Sequence, residues 1–292
     1  MADNLPATLP SLSEGELAHW LCLRGGRVVQ HKGRYWLAKP FGFFHAIHPL
    51  ARMSADEATR PARLCWGFRA TLNDTDAHLA NSTMPVHFLG DVAGYNLQKI
   101  SPRRRNQIRN CFKLVEIVAI ETPDLLLEQG YDVALSAQAR TGYGTVPDPN
   151  RYKSDIANFF SAPCGLILGG LIDGRLAGYL VSYAVGSTAY VDDVITATEY
   201  LNTNISSGLF YAWMQVCKNS GRIKQVVHGL HTPENAGLCR YKDSLGLSVI
   251  QVPALAWFMP PTASLVKKIR PFAYYRLKGD TAESDYIWRT SP

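Results

Sequence analysis

An Asp-Gly pair at residues 173–174 separates two apolar segments, and it is the feature that most constrains the fold. Residues 166–172 and residues 176–183 are both rich in Leu, Ile, Val and Tyr. Asp-Gly between two such segments is typical of a type I′ turn, because both central positions of that turn need positive φ. The sequence therefore predicts a β-hairpin. A third apolar segment, residues 188–195, predicts the next strand.

The segments after the hairpin predict a loop, a helix, a strand and a second helix. Residues 202–208 are small and polar and are typical of a loop, and residues 209–217 are apolar at helical spacing. Residues 225–228 predict a strand. The last helix is predicted to follow Asn235 and to end at a Leu-Gly pair, residues 245–246.

This order resembles the core of the GNAT acyltransferase superfamily. The final helix of that core ends in Tyr-x-x-x-Leu-Gly-Phe, which is matched here by Tyr241, Leu245, Gly246 and Leu247, with Asn235 upstream. The resemblance covers residues 165–247 closely and the rest of the chain more loosely. It implies an α/β (α+β) fold, in which a GNAT-like mixed sheet is flanked by helices.

A basic segment precedes this core. Ser101 is a predicted N-cap, and Pro102 stands at the first helical position, where its missing N–H is not needed. The basic residues that follow have no acidic residue among them: Arg103, Arg104, Arg105, Arg109 and Lys113. Helical spacing places Arg105, Arg109 and Lys113 on one face. Two interpretations stay open, a solvated basic face or a surface that binds CoA phosphates, RNA or a nucleotide-linked substrate.

The basic segment is similar to the linker of Fem-type and cellulose-biosynthesis-type acyltransferases. In those proteins a serine-capped, arginine-rich helix leads into a strand, which is predicted here at residues 114–120. Two GNAT-like halves pack together in those relatives, and the first half lacks a working cofactor site. The resemblance implies the following division: a lead-in at 1–13, a degenerate β-rich half with the basic helix at 14–113, an acyltransferase domain at 114–279 and a tail at 280–292.

Local patterns predict further elements. Ser13 and Glu16 form a capping-box pattern that starts a short helix, and a hairpin is expected to turn at residues 32–33. Alternating polar and apolar residues at 62–72 predict a half-buried strand. Two separate strands are predicted at residues 248–253 and 254–259.

Composition narrows the function classes. The net charge of +6 suits anionic ligands but does not choose among them. No apolar stretch is long enough to span a bilayer and no signal peptide is evident, so a cytoplasmic location is expected. The 6 cysteines are scattered without a CxxC pair, which favours reduced thiols over disulfides or a zinc site. No metal site is expected, and the oligomeric state cannot be predicted from these patterns.

Acyl transfer from a thioester needs a cradle for the pyrophosphate, because that group carries the charge of CoA. Backbone N–H groups at a loop that opens a helix bind phosphate without a charged side chain. The resemblance implies that Asn204, Ser206, Ser207 and Gly208 form this cradle. The loop of the superfamily carries more glycines and starts with Gln or Arg, and here serines replace them. An ordinary N-capped loop is the alternative interpretation.

The resemblance also implies catalytic roles. Tyr241 would protonate the departing thiolate, and Asn235 would hold the pantetheine amides; a core tyrosine and a helix cap are the alternatives. Asp192 and Asp193 are candidates for the base that accepts the amine proton. Strand alternation sends neighbouring residues to opposite faces, so one of the two is expected to face the core or the site. Glu199 is a third candidate for the base.

These patterns lead to one function hypothesis and two rivals. The first is an N-acyltransferase that moves an acyl group from acyl-CoA or acetyl-CoA, as co-substrate, to a primary amine on a small molecule or peptide, without a metal. The second is an aminoacyl-tRNA-dependent Fem-type transferase, which the basic helix and the atypical loop motivate. The third is a non-catalytic binding protein with the same fold. The acceptor cannot be identified from the residues.

Overall fold

The computed structural model describes residues 5–39, 42–142, 148–162 and 165–279. The strands in those residues are β1 (Ser11–Leu12), β2 (Arg27–His31), β3 (Arg34–Lys39), β4 (Phe43–Ala46), β5 (Gly67–Thr71), β6 (Ser82–Leu89), β7 (Glu116–Ala119), β8 (Leu166–Ile172), β9 (Arg175–Val185), β10 (Thr188–Thr196), β11 (Gln225–Leu230) and β12 (Ser248–Phe258). The α-helices are α1 (Glu14–Leu23), α2 (Pro102–Leu114), α3 (Tyr131–Thr141), α4 (Pro149–Phe160), α5 (Ile205–Asn219), α6 (Ala236–Ser244), α7 (Thr262–Ile269) and α8 (Pro271–Lys278).

The chain forms two compact units that are interleaved in sequence. Unit 1 comprises the described residues of Met1–Glu16, Leu89–His228 and Ser244–Leu247. Unit 2 comprises those of Leu17–Phe88, Gly229–Asp243 and Ser248–Pro292. The domain division predicted from sequence, with its boundary after residue 113, stays a prediction. The predicted tail, 280–292, lies outside the described residues.

Unit 1 contains a mixed sheet in the order β7-β8-β9-β10-β11, with β1 paired to the end of β9. The β7–β8, β8–β9 and β9–β10 pairs are antiparallel, whereas β10 and β11 are parallel. Helices α2 and α5 pack against each other, and α5 also contacts β8, β9 and β10. The predicted mixed sheet flanked by helices is therefore confirmed.

The Asp-Gly hairpin is confirmed. Strands β8 and β9 pair from Ile172↔Arg175 inward, and the two turn residues have φ values of 49° at Asp173 and 75° at Gly174. Both values lie in the left-handed region that a type I′ turn requires. The capping box is confirmed too, because the Ser13 amide donates to Glu16 Oε2 at 2.7 Å and the Glu16 amide donates to Ser13 Oγ at 3.2 Å.

The strands of unit 2 are hydrogen-bonded in the order β2-β3-β4-β5-β12-β6. The predicted hairpin at residues 32–33 is confirmed by φ values of 49° at Lys32 and 76° at Gly33. The prediction of a half-buried strand at residues 62–72 is wrong in both the length and the burial of the strand. Only Gly67–Thr71 is a strand, and all of its residues are buried, because β5 lies between β4 and β12 in the sheet interior.

The two strands predicted on either side of residues 253–254 form one continuous strand, β12. Pro253 has no N–H to donate, but its carbonyl accepts the amide of Leu72 at 2.9 Å. The pairing with β6 also runs through Pro253, which lies opposite Thr83. Proline therefore does not interrupt the strand here, although as a sequence signal it favours a break.

Helix α5 forms the centre of unit 1. Residues 207–217 are all buried, which is typical of a helix enclosed by other elements on every side. Gly208 permits the approach of α2, since a Cβ atom at this position would lie 2.4 Å from Cys111 Sγ. Burial of the Cys111 thiol in this contact raises its pKa to about 12. The helix pair is therefore packed without room for a further methyl group.

We expect Gly208→Ala to lower the free energy of unfolding by about 1–3 kcal/mol, because overpacking outweighs the gain in helix propensity. Gly237→Ala in α6 is the matched control. A Cβ there would meet only Asn235 Oδ1 at 3.7 Å, so the change should be neutral or stabilising by up to about 1 kcal/mol. Urea unfolding measures both variants. Equal stabilities of the two would show that α2 and α5 are not closely packed at Gly208.

Candidate functional site

Helix α5 begins four residues before the predicted position at Leu209, so the serines are helical and do not form a loop. Asn204 adopts a left-handed conformation, with φ 59° and ψ 29°, directly after the 3-10 segment Thr198–Thr203. Its carbonyl accepts the amides of Ser207 at 2.9 Å and Gly208 at 3.2 Å. These two bonds close the first turn of α5. Because the helix begins here, the amides of that turn lie at the positive end of the helix dipole.

The serine side chains fix the start of α5 to neighbouring elements. Ser206 Oγ lies 2.8 Å from Oγ1 of Thr196, the last residue of β10. Ser207 is 1% exposed, and its Oγ accepts a hydrogen bond of 3.0 Å from Arg104. These two hydroxyls were predicted to help form a phosphate cradle. In the structure they hydrogen-bond to Thr196 and Arg104.

Arg104 brings a positive charge to the same helix end. Besides its bond to Ser207, its Nε donates to Ser244 Oγ at 2.9 Å. A cation at the positive end of a helix dipole is unfavourable by itself, because like charges repel. An anion placed there would be attracted by both the guanidinium and the first-turn amides. The start of α5 thus has the electrostatics of an anion-binding site.

In the sequence, Arg104 is one of several basic residues, and no pattern marks it as a site residue. Helical spacing groups Arg105, Arg109 and Lys113 on one face, of which Arg109 and Lys113 are exposed. The available signal was the spacing of Arg104 from Ile108 and Cys111, which are both buried in α2. Residues four and seven positions apart share a helix face, so Arg104 points the same way as the buried residues.

Strands β10 and β11 are paired over only part of their length. The parallel ladder runs from Thr188↔Gln225 to Tyr190↔Val227. Beyond it β10 continues to Thr196, and β11 continues to Leu230. Two parallel strands that stop pairing leave main-chain groups on their facing edges, which can accept an extended ligand.

Asp192 and Asp193 lie in this part of β10, and neither faces the core; that one of them faces the site stays a prediction. Both are exposed. The pairing of β9 with β10 shifts register between Val191 and Asp193, and such a bulge breaks the alternation of faces. Glu199, the third candidate, is also exposed and accepts a hydrogen bond of 3.2 Å from Ser136.

A tyrosine pair joins α4 to β9, the strand that pairs with bulged β10. The hydroxyls of Tyr152 and Tyr179 are 3.5 Å apart and both rings are buried. Burial raises the pKa of Tyr179 well above its usual range, and Tyr152 and the negative charge of Asp193 add to the effect. Both phenols therefore stay neutral at physiological pH.

The remaining predicted site residues belong to unit 2. Asn235 is exposed, and its Oδ1 accepts the amide of Leu238 at 3.0 Å, so it caps α6, as one of its two interpretations expects. Tyr241 is half-buried on α6. The catalytic role of Tyr241 stays a prediction.

Next to Tyr241, unit 2 contains a buried basic cluster that the sequence analysis missed. Lys242 is 5% exposed and burial lowers its pKa to about 8. The rings of His87 and His231 lie 5.6 Å apart, and His231 Nδ1 is 2.7 Å from the Tyr275 hydroxyl. Burial, with the Lys242 charge adding to it, lowers the pKa of His87 to about 3, so this ring is neutral. These residues come from distant parts of the sequence, and no spacing signal connects them.

The depressed pKa of Lys242 makes stability depend on pH. Between about pH 8 and its ordinary pKa of 10.5, the unfolded chain holds a proton that the folded chain has lost, so stability rises with pH. Relative to Lys242→Met, the wild type should therefore gain about 2 kcal/mol between about pH 7 and about pH 10. Urea unfolding at both pH values measures the difference.

Lys153→Met provides the control, because Lys153 is an exposed lysine of α4. That variant should show the same pH slope as the wild type. A Lys242→Met protein with the wild-type slope would mean that Lys242 keeps an ordinary pKa in the folded state.

Known proteins share the fold of this chain but not a recognisable sequence. No protein-family model and no curated protein matches the sequence. Solved structures do match its fold. The C-terminal domain of a protein described as a lysylphosphatidylglycerol synthetase from Agrobacterium fabrum has a TM-score of 0.58 at 10% identity, covering 92% of this chain and 96% of that one.

Two further structures match to a similar degree. FemX has a TM-score of 0.59 at 10% identity, over 92% of this chain and 96% of its own. L-PGS from Bacillus licheniformis has a TM-score of 0.55 at 12% identity, over 95% of this chain and 100% of its own. The predicted GNAT-like fold is thereby confirmed, and this chain shares it with FemX.

The described residues were compared with the requirements of a metal site and of a membrane span. Among them, no group of three or more His, Cys, Asp or Glu could hold a metal ion. No helix in the described parts of the chain combines the length and apolarity needed to cross a bilayer.

Proposed function

We propose that this protein is an N-acyltransferase, which moves an acyl group from acyl-CoA or acetyl-CoA to a primary amine by direct attack. The observation that carries the proposal is the meeting of Arg104 with the first turn of α5, beside the point where β10 and β11 stop pairing. The charge suits the phosphates of the donor, and the strand edges suit its extended pantetheine arm.

The phosphate part of the proposal uses Arg104 and the backbone. The hydroxyls of Ser206 and Ser207 bond to Thr196 and Arg104. The pyrophosphate would therefore be held chiefly by the guanidinium and by those first-turn amides of α5 that do not donate to Asn204. Asn204 and Gly208 contribute by shaping the turn and by admitting α2.

The pantetheine part of the proposal uses main-chain groups. Pantetheine carries two amides on a flexible chain, and an extended ligand can hydrogen-bond to a strand edge as an added strand would. The facing edges of β10 and β11 beyond Tyr190 and Val227 offer such groups. The role in pantetheine binding that the resemblance implies for Asn235, in unit 2, is a separate proposal.

The chemistry needs one base and one acid. The amine nitrogen attacks the thioester carbonyl carbon, and its proton passes to Asp192 or Asp193. Both carboxylates are exposed, so an amine substrate can reach them from solvent. As the C–N bond forms and the C–S bond breaks, Tyr241 is proposed to protonate the departing thiolate.

Calorimetry with CoA tests the donor site. The wild type should bind CoA, and Arg104→Met should weaken binding by about tenfold or more through loss of a charge-assisted contact. Arg109→Met is the matched control, because Arg109 is an exposed arginine one turn further along α2. No CoA binding by the wild type, or equal losses in both variants, would contradict the proposed donor site.

Turnover with an acyl-CoA and a panel of amines tests the catalytic residues. Tyr241→Phe and the base variants Asp192→Asn or Asp193→Asn should lower kcat by about 100-fold, while CoA binding stays intact. CoA binding without any turnover would favour the non-catalytic binding protein. Wild-type rates in all three variants would show that other residues supply the acid and the base.

An aminoacyl-tRNA donor is the second candidate. Exposed Arg103, Arg109 and Lys113 on α2 favour it, as does the fold shared with FemX over 92% of this chain. A tRNA partner should bind with an affinity that falls steeply with salt, because phosphate contacts release counterions. Arg109→Met should then weaken tRNA binding and reduce its salt slope, and the wild type should neither bind CoA nor turn over acyl-CoA, the reverse of the outcome for the CoA donor.

A further inference from the structure

Unit 2 carries an exposed surface that the proposed transfer reaction does not use. It consists of Met259 after β12, together with Leu265, Lys267, Lys268, Ile269 and Arg270 of α7 and its end. We call it the α7 patch. The apolar members are exposed to an unusual extent, 44% for Met259, 55% for Leu265 and 63% for Ile269.

Leu265 and Ile269 lie on the same side of α7. They are four residues apart, so their side chains are neighbours on the helix surface. Isolated exposed leucines are common in proteins, but adjacent exposed aliphatic side chains on one helix form a patch that water solvates poorly. The patch therefore has an apolar strip that a partner could cover.

Basic residues occur on the same helix and at its end, and Lys268, three residues from Leu265, borders this strip. Lys267, Lys268 and Arg270 are all exposed, and no Asp or Glu occurs in the sequence between residues 259 and 279. Arg276 of α8 pairs with Glu234, so it is not counted with the patch. A partner that covers the strip must therefore accept a cluster of positive charge at its edge.

We propose that the α7 patch docks on the surface of a membrane that contains anionic phospholipid. Aliphatic side chains enter the boundary between headgroups and acyl chains, while flanking lysines and arginines are attracted to the negative surface. RNA fits less well, because it would leave Leu265 and Ile269 in water. A second copy of the same patch fits less well too, because its like charges would repel.

The docking is interfacial and does not require a spanning helix. It is independent of the transfer chemistry, since none of the patch residues belongs to the proposed catalytic or donor-binding set. If both hold, the protein acts on amines from a position at a membrane surface. Failure of the CoA experiment and failure of vesicle binding are separate outcomes.

Vesicle flotation tests the proposal. The full chain should float with vesicles of phosphatidylglycerol and phosphatidylcholine, and stay in the aqueous fraction with phosphatidylcholine alone. The double variant Leu265→Glu with Ile269→Glu should weaken binding by about tenfold or more. Lys267→Ala with Lys268→Ala should weaken it by about tenfold and remove much of its salt dependence.

Leu114→Glu is the matched control, because Leu114 is a leucine of similar exposure, 59%, at the end of the basic helix α2. It should bind vesicles like the wild type. An equal loss in this variant would locate membrane binding on α2 and overturn the proposal. The proposal is also overturned if the wild type ignores anionic vesicles, or if the α7 variants lose tRNA binding or self-association and keep vesicle binding. Circular dichroism confirms that each variant is folded.

Discussion

The contact between α2 and α5 is the interaction on which the organisation of unit 1 depends. Helix α5 is enclosed on all sides, and it contacts three strands of the sheet. Because α2 approaches so closely at Gly208, the guanidinium of Arg104 arrives at the first turn of α5. The packing of an apolar core thus decides where a charge is placed, and the candidate anion site follows from it.

Local patterns predicted much of the fold because they depend on a few adjacent residues. The turns at Asp173-Gly174 and Lys32-Gly33 need positive φ, and the sequence shows that directly. The capping box of α1 depends only on Ser13 and Glu16. The burial of β5 and the unbroken path of β12 through Pro253 depend on which strands lie beside them, and neither sequence segment carries that information.

The candidate site was less predictable, for two physical reasons. Asn204 takes a left-handed conformation that starts α5 early, so Ser206 and Ser207 are helical and use their hydroxyls to tie the helix in place. A bulge after Val191 turns both aspartates outward, which alternation cannot foresee. Arg104 was found only from tertiary packing, because its role depends on a helix that lies far from it in the sequence.

The close approach at Gly208 has a consequence for how the chain can vary. Gly208 and Cys111 share one small volume between two helices, so the size tolerated at either position depends on the other. A methyl group added to the glycine would lie 2.4 Å from the cysteine sulfur and 3.3 Å from its Cβ, so removing the sulfur relieves the shorter contact and makes the two substitutions non-additive. Among relatives of this chain, the residues at the two positions should therefore vary together. A relative with alanine at both positions would be an example of such compensation.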